Sequence, residues 1–388
     1  MSKSTIDDPC SCTKADLPEL IALVNLVFRP QQHQNIFTDY PLVYHDENLA
    51  NIQMIKVDGR IVSEVPFIVW PVHWQGCQFS VGFISPTATH PDHRHKGYGL
   101  RCLRSCIERM KQMGVDLTVL WTLVRIFPFY YHADYAALRP QVLRHELSNT
   151  DANRFEHHGE QIVLYHPHTR QYLSDIQTMR QAGPHGVVRN DEQAATLLAL
   201  PNQTTYLALR RTKAVAYLCV NESTNKTGVI EWGGDPEGIE TLVRYILLER
   251  SPDKPVKTAV QICPNVMADL LEAKARDRQV DEVGARMTRI NDVRGFFEKI
   301  SPWLAKRHQG QVEPFSIGLR NPQETISLDF STGDVQVGSQ RCDQHLEMTR
   351  RELTSAIFGA HVETPYDPPP PLDRLFPFYF PISILDRS

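Results

Sequence analysis

The chain has 388 residues, of which 41% are hydrophobic and 22% are charged, and its formal net charge is -4. This length predicts two or three domains, and the negative charge argues against nucleic acid or an anionic membrane as a partner. The eight cysteines are scattered, and the first residues carry no apolar signal core. We therefore expect a cytoplasmic protein with free thiols.

Residues 1–150 are predicted to run helix, antiparallel strands, glycine loop, helix and strand. Apolar spacing at i, i+3 and i+4 predicts the helices, and period-two alternation predicts the strands. The predicted elements are a helix over 16–28, strands over 51–57, 60–69 and 77–89, a helix over 97–113 and a strand over 115–123. Because proline cannot donate a ladder hydrogen bond, Pro86 predicts irregular pairing in the third strand.

Residues 151–285 show a similar rhythm without the basic glycine loop, which predicts a second, degenerate copy of the first fold. The predicted elements are a helix over 170–181, strands over 204–209, 214–220 and 229–232, a helix ending at residue 248 and a strand over 257–262.

Residues 286–388 change character and are predicted to form a third domain. Short strands are predicted over 315–319, 326–330 and 335–337, followed by a helix that Thr349 and Glu352 open as a capping box. The segment from Leu375 to Phe380 is too apolar to stay in solvent. We therefore expect this tail to dock on the body of the protein.

A basic glycine loop lies between a predicted strand and a predicted helix. Free backbone N–H groups at a helix N-terminus, together with the helix dipole, favour an anion such as a pyrophosphate. The spacing matches neither a Walker loop nor a complete dinucleotide fingerprint. The loop residues that we assign to anion binding are Arg94, His95, Lys96, Gly97, Tyr98 and Gly99.

The pattern Pro91-x-x-Arg94-x-x-Gly97-x-Gly99 resembles the acetyl-CoA-binding motif of the GCN5-related N-acetyltransferases (GNAT superfamily). The resemblance implies acetyl-CoA as co-substrate, with its pyrophosphate on the loop. It also implies that the pantetheine arm pairs with the preceding strand, at Thr87, Ala88 and Thr89.

The segment Phe129-Tyr130-Tyr131-His132-Ala133-Asp134-Tyr135 is similar to a second motif of that superfamily, with Ala133-Asp134 replacing a residue-glycine pair. The three-part plan resembles the enhanced-intracellular-survival (Eis) group. That resemblance implies an α+β fold of two tandem GNAT-like mixed sheets flanked by helices, over 1–150 and 151–285. A sterol-carrier-like α+β domain would follow over 286–388, and homo-oligomers are common in the group.

The resemblance also implies an activity, the transfer of an acetyl group to an amine of a small molecule or peptide. Tyr130 maps onto the tyrosine that acts as general acid, with Tyr131 as a register alternative. The α-carboxylate of Ser388 maps onto the general base, although the chain does not end in the usual aromatic residue, and Asp386 is an alternative. A non-catalytic acyl-CoA- or lipid-binding protein and a transferase of longer acyl groups remain open.

Three histidines, His90, His93 and His95, fall in the loop at a spacing that fits no known ligand set, so we expect no metal site. The resemblance places the acceptor pocket near residues 28–44. Aromatic residues and Asp39 in that segment are compatible with a cationic amine.

Overall fold

The computed structural model of the chain describes residues 5–29, 35–139, 142–168, 170–201, 203–222, 227–250, 253–261, 265–275, 278–280, 285–308, 312–380, 382 and 386. The strands within these residues are β1 (Cys10–Ser11), β2 (Ile52–Val57), β3 (Arg60–Trp74), β4 (Cys77–Ile84), β5 (Ala88–Thr89), β6 (Leu117–Thr122), β7 (Ala136–Ala137), β8 (Val142–Leu147), β9 (Gln161–Leu164), β10 (His185–Val187), β11 (Gln203–Arg210), β12 (Lys213–Glu222), β13 (Thr227–Gly234), β14 (Val256–Gln261), β15 (Arg278–Val280), β16 (Ala285–Ile290), β17 (Phe315–Arg320), β18 (Gln323–Asp329), β19 (Gln336–Gly338) and β20 (Gln344–Met348).

The helices within the same residues are α1 (Leu17–Phe28), α2 (Ile36–Asp39), α3 (Tyr98–Gln112), α4 (Phe127–Tyr131), α5 (Leu173–Gln181), α6 (Asp191–Leu198), α7 (Pro236–Tyr245), α8 (Val266–Lys274), α9 (Val293–His308), α10 (Arg350–Phe358) and α11 (Leu372–Leu375). A π-helical segment, Ile246–Arg250, continues α7. Short 3-10 helices cover Lys14–Asp16, Asp46–Asn51, Pro91–His93, Val124–Ile126 and Asn149–Arg154. None of the described helices combines the length and apolar character needed to cross a bilayer.

The described chain divides into two compact units. The first contains residues 1–139 and 283–378, and the second contains residues 140–282 and 379–388. Since one compact unit can hold more than one domain, the division into 1–150, 151–285 and 286–388 stays a prediction. So does the sterol-carrier-like character of 286–388.

The first unit is built on a mixed sheet in the order β1-β2-β3-β4-β6-β16-β7, with β5 paired to β3. The strands β2, β3 and β4 form an antiparallel meander, and β6 runs parallel to β4 after the α3 crossover. Of the apolar stripe expected on α3 at residues 100, 103, 107, 110 and 113, Leu103, Ile107 and Met110 are buried against β2 and β3. Leu100 is half-buried, and Met113 lies beyond the end of the helix and is exposed. This confirms a mixed α+β sheet flanked by helices.

Strand β16 enters the same sheet from a distant part of the sequence. It pairs antiparallel with β6 over six residues and with β7 on its other side. The following helices α9 and α10 pack against β4 and against β16 and β7, respectively. Neither β16 nor α9 was predicted, since their positions depend on partners more than 140 residues away in the chain.

A smaller sheet in the first unit has the order β19-β18-β17-β20. The capping box is present, because Thr349 Oγ1 accepts from the Glu352 amide while the Glu352 carboxylate accepts from the Thr349 amide. Phe378 of the apolar tail packs within this unit. The ring of Phe378 is fully buried, and its centroid lies 3.7 Å from that of Trp74 and 5.9 Å from that of Phe296.

The second unit has a mixed sheet in the order β15-β8-β14-β13-β12-β11-β9. The predicted strands over 204–209, 214–220, 229–232 and 257–262 are confirmed as β11, β12, β13 and β14. Helix α7 packs on β11 and β12 at a close approach. A Cβ atom at Gly238 would stand 2.7 Å from the Ala216 Cβ, so only glycine fits there without movement.

Candidate active site

The basic glycine loop folds as a turn that opens α3. A 3-10 helix, Pro91–His93, leads into Arg94, and His95 and Gly97 both have left-handed backbone angles, with φ of 62° and 83°. Gly97 is the N-cap residue of α3 and offers no side chain to the amides of the first turn. These amides have no acceptor within an α-helix, and such a helix end favours an anion; that this loop binds one stays a prediction.

The second glycine of the loop, Gly99, allows α3 to approach its neighbours closely. A Cβ atom at Gly99 would lie 3.2 Å from Thr89 Oγ1 and 3.4 Å from a ring carbon of Phe129. The start of α3 therefore packs directly on the strand before the loop and on α4. This contact fixes the distance between the loop amides and the rest of the site.

Two cations of the loop are exposed and tied to its backbone. Arg94 Nε donates to the carbonyl of Thr89 at 3.3 Å, and Lys96 Nζ donates to the carbonyl of Asp92 at 2.9 Å. His95 is exposed beside them, whereas Tyr98 is buried beneath the loop. The positive charge is thus held close to the free amides, where it adds to the helix dipole.

The strand before the loop has one paired edge. Ser63 lies opposite Thr89 and Glu64 lies opposite Ala88, so β5 is joined to β3, and no other described strand pairs with it. Pairing between β4 and β6 ends at Phe83, although β6 continues to Thr122. Strands β4 and β6 therefore separate next to Thr87 and leave a free strand edge. Irregular pairing was expected at this point because of Pro86.

A cavity of about 520 Å³ occupies this separation, a size within the range of small-molecule sites. It is lined by residues of α1, α2, the ends of β4 and β6, the glycine loop and α4. They are Val27, Phe28, Arg29, Ile36, Tyr40, Ile84, Ser85, Pro86, Thr87, Thr89, Arg94, Trp121, Thr122, Arg125, Ile126, Phe129 and Tyr130.

The phenol of Tyr130 faces this cavity from α4. Tyr130 is 7% exposed, and burial raises its pKa to about 12, with the nearby Thr87 hydroxyl opposing the rise in part. The Thr87 oxygen is itself buried and stands outside hydrogen-bonding geometry within the described residues. A pKa this high keeps the phenol protonated, and hence a hydrogen-bond donor, at neutral pH.

The register alternative, Tyr131, lies elsewhere. It does not line the cavity, and the guanidinium of Arg351 stands 4.9 Å above its ring. The short helix α4 turns these neighbouring tyrosines in different directions, and it is Tyr130 that lies beside Thr87.

Of the two candidate bases near residue 388, only Asp386 lies within the described residues. Ser388 lies outside the described residues, and its role stays a prediction. Asp386 is 1% exposed, and its Oδ1 accepts from Arg189 Nε at 2.8 Å and from Arg180 Nη2 at 3.4 Å. The Asp386 carboxylate is therefore engaged by two guanidinium groups within the protein.

One buried acid was not predicted from the sequence. Glu64 is 0% exposed, and neither carboxylate oxygen makes a hydrogen bond within the described residues. Burial raises its pKa well above the ordinary value, and the Ala88 backbone opposes this only in part. A glutamate in an alternating strand normally predicts a solvent-facing position, so the sequence carried no signal for this burial.

The acid expected to meet a cationic amine is already paired. Asp39 accepts from Arg29 Nε at 2.9 Å and also contacts its Nη2. Arg29, not Asp39, lines the cavity. Residues of the segment 28–44 line the cavity, but the carboxylate of Asp39 is paired with Arg29, and the role of this segment as an acceptor wall stays a prediction.

Residues 10–138 match the family model of the acetyltransferase (GNAT) domain. This range contains the glycine loop, the separated strands and Tyr130, and the match identifies this part of the chain as a GNAT-type domain.

Solved structures resemble nearly the whole chain. A probable N-acyltransferase from Enterococcus faecalis V583, described as a conserved protein of unknown function, aligns with a TM-score of 0.72 and 16% identity over 92% of this chain and 90% of its own. A GCN5-related N-acetyltransferase from Kribbella flavida aligns at 0.68 and 15% over 91% and 88%. Eis1 from Mycobacterium abscessus aligns at 0.60 and 12% over 91% and 88%. At these identities the likeness concerns the fold alone, and no curated protein matches the sequence.

Proposed function

We propose that the chain is an N-acetyltransferase that moves an acetyl group from acetyl-CoA to an amine of a small molecule or peptide. The observation that carries this proposal is a single cavity. It joins the anion-binding end, at Thr89 and Arg94, to the buried phenol of Tyr130. A thioester bound between these ends would have its phosphates at the loop and its sulfur near the phenol.

The chain's own groups suit two parts of coenzyme A, the pyrophosphate and the pantetheine arm. The free amides at the start of α3, with Arg94 and Lys96, suit the pyrophosphate. The unpaired edge of residues 87–89 suits the amides of the pantetheine arm, because an exposed strand edge binds an extended chain through backbone hydrogen bonds.

The transfer requires a proton at the leaving sulfur. A neutral amine attacks the thioester carbonyl, the C–N bond forms, the C–S bond breaks, and the sulfur leaves with the electron pair. An alkyl thiol has a pKa near ~8.5, so complete transfer from a phenol of pKa about 12 is uphill by about 5 kcal/mol. Tyr130 therefore acts first as a hydrogen-bond donor that stabilises the developing thiolate.

The proton balance is completed when the amine nitrogen loses its proton. The thiolate takes up one proton, so the net products are an amide and a free thiol. The α-carboxylate of Ser388 is our proposed acceptor of the amine proton, by resemblance, whereas Asp386 is engaged by Arg189 and Arg180.

Release of free thiol from acetyl-CoA, measured against a panel of amines, tests the activity. Tyr130→Phe should lower kcat by roughly 100-fold, the range for loss of one hydrogen-bond donor to a developing charge. Tyr131→Phe is the matched control, because Tyr131 is the adjacent residue and does not line the cavity. Equal loss in both variants would remove Tyr130 from this role. Binding of acetyl-CoA without thiol release would favour a non-catalytic acyl-CoA-binding protein.

A further inference from the structure

The side chains that line the cavity carry charge of one sign. Three arginines, Arg29, Arg94 and Arg125, line it, and no aspartate or glutamate is among its described lining residues. Arg94 lies in the glycine loop at the end assigned to the pyrophosphate. The other two charges of the lining are those of Arg29 and Arg125, which we assign to the acceptor.

The charge of Arg29 is neutralised within the protein. Its Nε and Nη2 bind the Asp39 carboxylate, and its Nη1 donates to the Phe28 carbonyl at 2.9 Å. Because the Asp39 carboxylate is paired with Arg29, it is not available to bind the ammonium group of a polyamine. Arg29 and Asp39 together contribute little net charge to the acceptor end.

Arg125 differs from Arg29 because no residue that the structure describes is paired with it. It lies in the 3-10 helix Val124–Ile126 that follows β6, and its side chain is exposed. Within the described residues it makes no ion pair and no hydrogen bond. Trp121 and Phe129, which flank it in sequence, line the same cavity. An unpaired guanidinium on an aromatic wall is suited to bind a carboxylate or a phosphate, since its N–H groups match both in a forked geometry.

We infer that the acceptor is a small amine that also carries an anionic group, and that Arg125 binds this group. The inference rests on the proposed acetyltransferase function and names the substrate class of the same site. The anion would be oriented by Arg125 so that the amine points toward Tyr130 and the separated strands. A cavity lined by positive charge also disfavours the ammonium form of the substrate, which increases the fraction of the neutral, nucleophilic amine.

Matched substrate pairs provide the test on the full-length protein. Glycyl dipeptides with a free carboxylate are compared with their carboxamides, glucosamine 6-phosphate is compared with glucosamine, and spermidine represents the polyamines. The carboxylate and phosphate arms distinguish the two sources of the anion. The acidic member of at least one pair should have a kcat/KM at least tenfold above that of its neutral partner.

Arg125→Gln should reduce this preference at least fivefold, mainly through a higher KM for the acidic amine. Arg104→Gln, an exposed arginine of α3 outside the cavity, should keep the wild-type preference. The inference is overturned if neutral or polycationic amines are preferred by the wild type. It is also overturned if Arg125→Gln affects both members equally, or if it raises the KM of acetyl-CoA alone.

Calorimetry with N-acetylated products and coenzyme A separates this inference from the proposed function. Tighter binding of the acidic product by the wild type, lost in Arg125→Gln, supports the inference whatever the turnover. Absence of that preference overturns it even if thiol is released. Failure of the protein to bind acetyl-CoA and to release thiol would instead refute the proposed function.

Discussion

The buried carboxyl group of Glu64 predicts that the stability of the first unit falls as pH rises. Its pKa in the folded protein is raised above the ordinary value of 4.5 because burial disfavours the charged form. Above pH 4.5 the unfolded chain releases this proton while the folded chain keeps it. The folded state then binds more protons, and the free energy of unfolding falls with pH by about 1.4 kcal/mol per pH unit until the folded pKa is reached.

Glu64→Gln removes this titration while keeping the shape of the protonated acid. The buried amide has its own unsatisfied donors, which shift stability by an amount that does not depend on pH. The difference between wild type and variant should therefore change with a slope of about 1.4 kcal/mol per pH unit above pH 4.5, in favour of the variant as pH rises. Burial raises the pKa values of Cys102 and Tyr130 to about 12, so these neighbours do not titrate in the same window.

Hydrogen exchange of the β3 amides, compared between variant and wild type at the same pH, measures this difference locally. Comparison at equal pH cancels the intrinsic pH dependence of exchange. Glu108→Gln is the control, since Glu108 is an exposed carboxylate of α3. A wild-type-to-variant difference that is constant between pH 5 and pH 8 would refute the reasoning, because it would mean that Glu64 does not hold its proton in the fold.

Two further predictions concern the loop and the second unit. Gly97→Ala places a Cβ atom at a φ of 83°, so it should lower the free energy of unfolding by about 1 kcal/mol, as measured by denaturation. It should also raise the KM for acetyl-CoA, as measured by thiol release. An unchanged KM would mean that the loop backbone does not position the pyrophosphate. Arg189→Met leaves the Glu231 and Asp386 carboxylates buried without that partner, and it should destabilise the second unit by about 3 kcal/mol or more. The loss should appear as faster hydrogen exchange in β12 and β13. Arg170→Met removes an exposed ion pair and should leave exchange unchanged.

The parts of the site that were predicted from the sequence depend on local chemistry. The glycines before a helix and the proline inside a strand are each readable from a few neighbouring residues; the structure has a turn and the start of α3 at the first, and an interrupted strand at the second. The apolar spacing of α3 predicted three of its buried residues, Leu103, Ile107 and Met110, for the same reason. These signals do not depend on how the rest of the chain folds.

The parts that were not predicted depend on contacts between distant segments. Arg125 is a candidate for substrate binding only because the structure places it in the same cavity as residues of α1. Asp39 is unavailable to an amine only because it is paired with Arg29. The burial of Glu64 follows from its pairing with Ala88, on a strand 24 residues away in sequence. Alternation along one strand does not show which charged residue a second strand and a helix will cover.

Strand β16 has a consequence for the synthesis of the protein. The apolar and small residues of β6 and β7 lie on either side of β16, so the edge of β6 stays open until residue 290 has left the ribosome. Translation at roughly ~5–20 residues per second separates Thr122 from Ile290 by on the order of ten seconds or more. Throughout that interval the nascent first unit presents an unpaired strand edge. Its large sheet is completed only after residues 140–282, which belong to the second unit, have been translated.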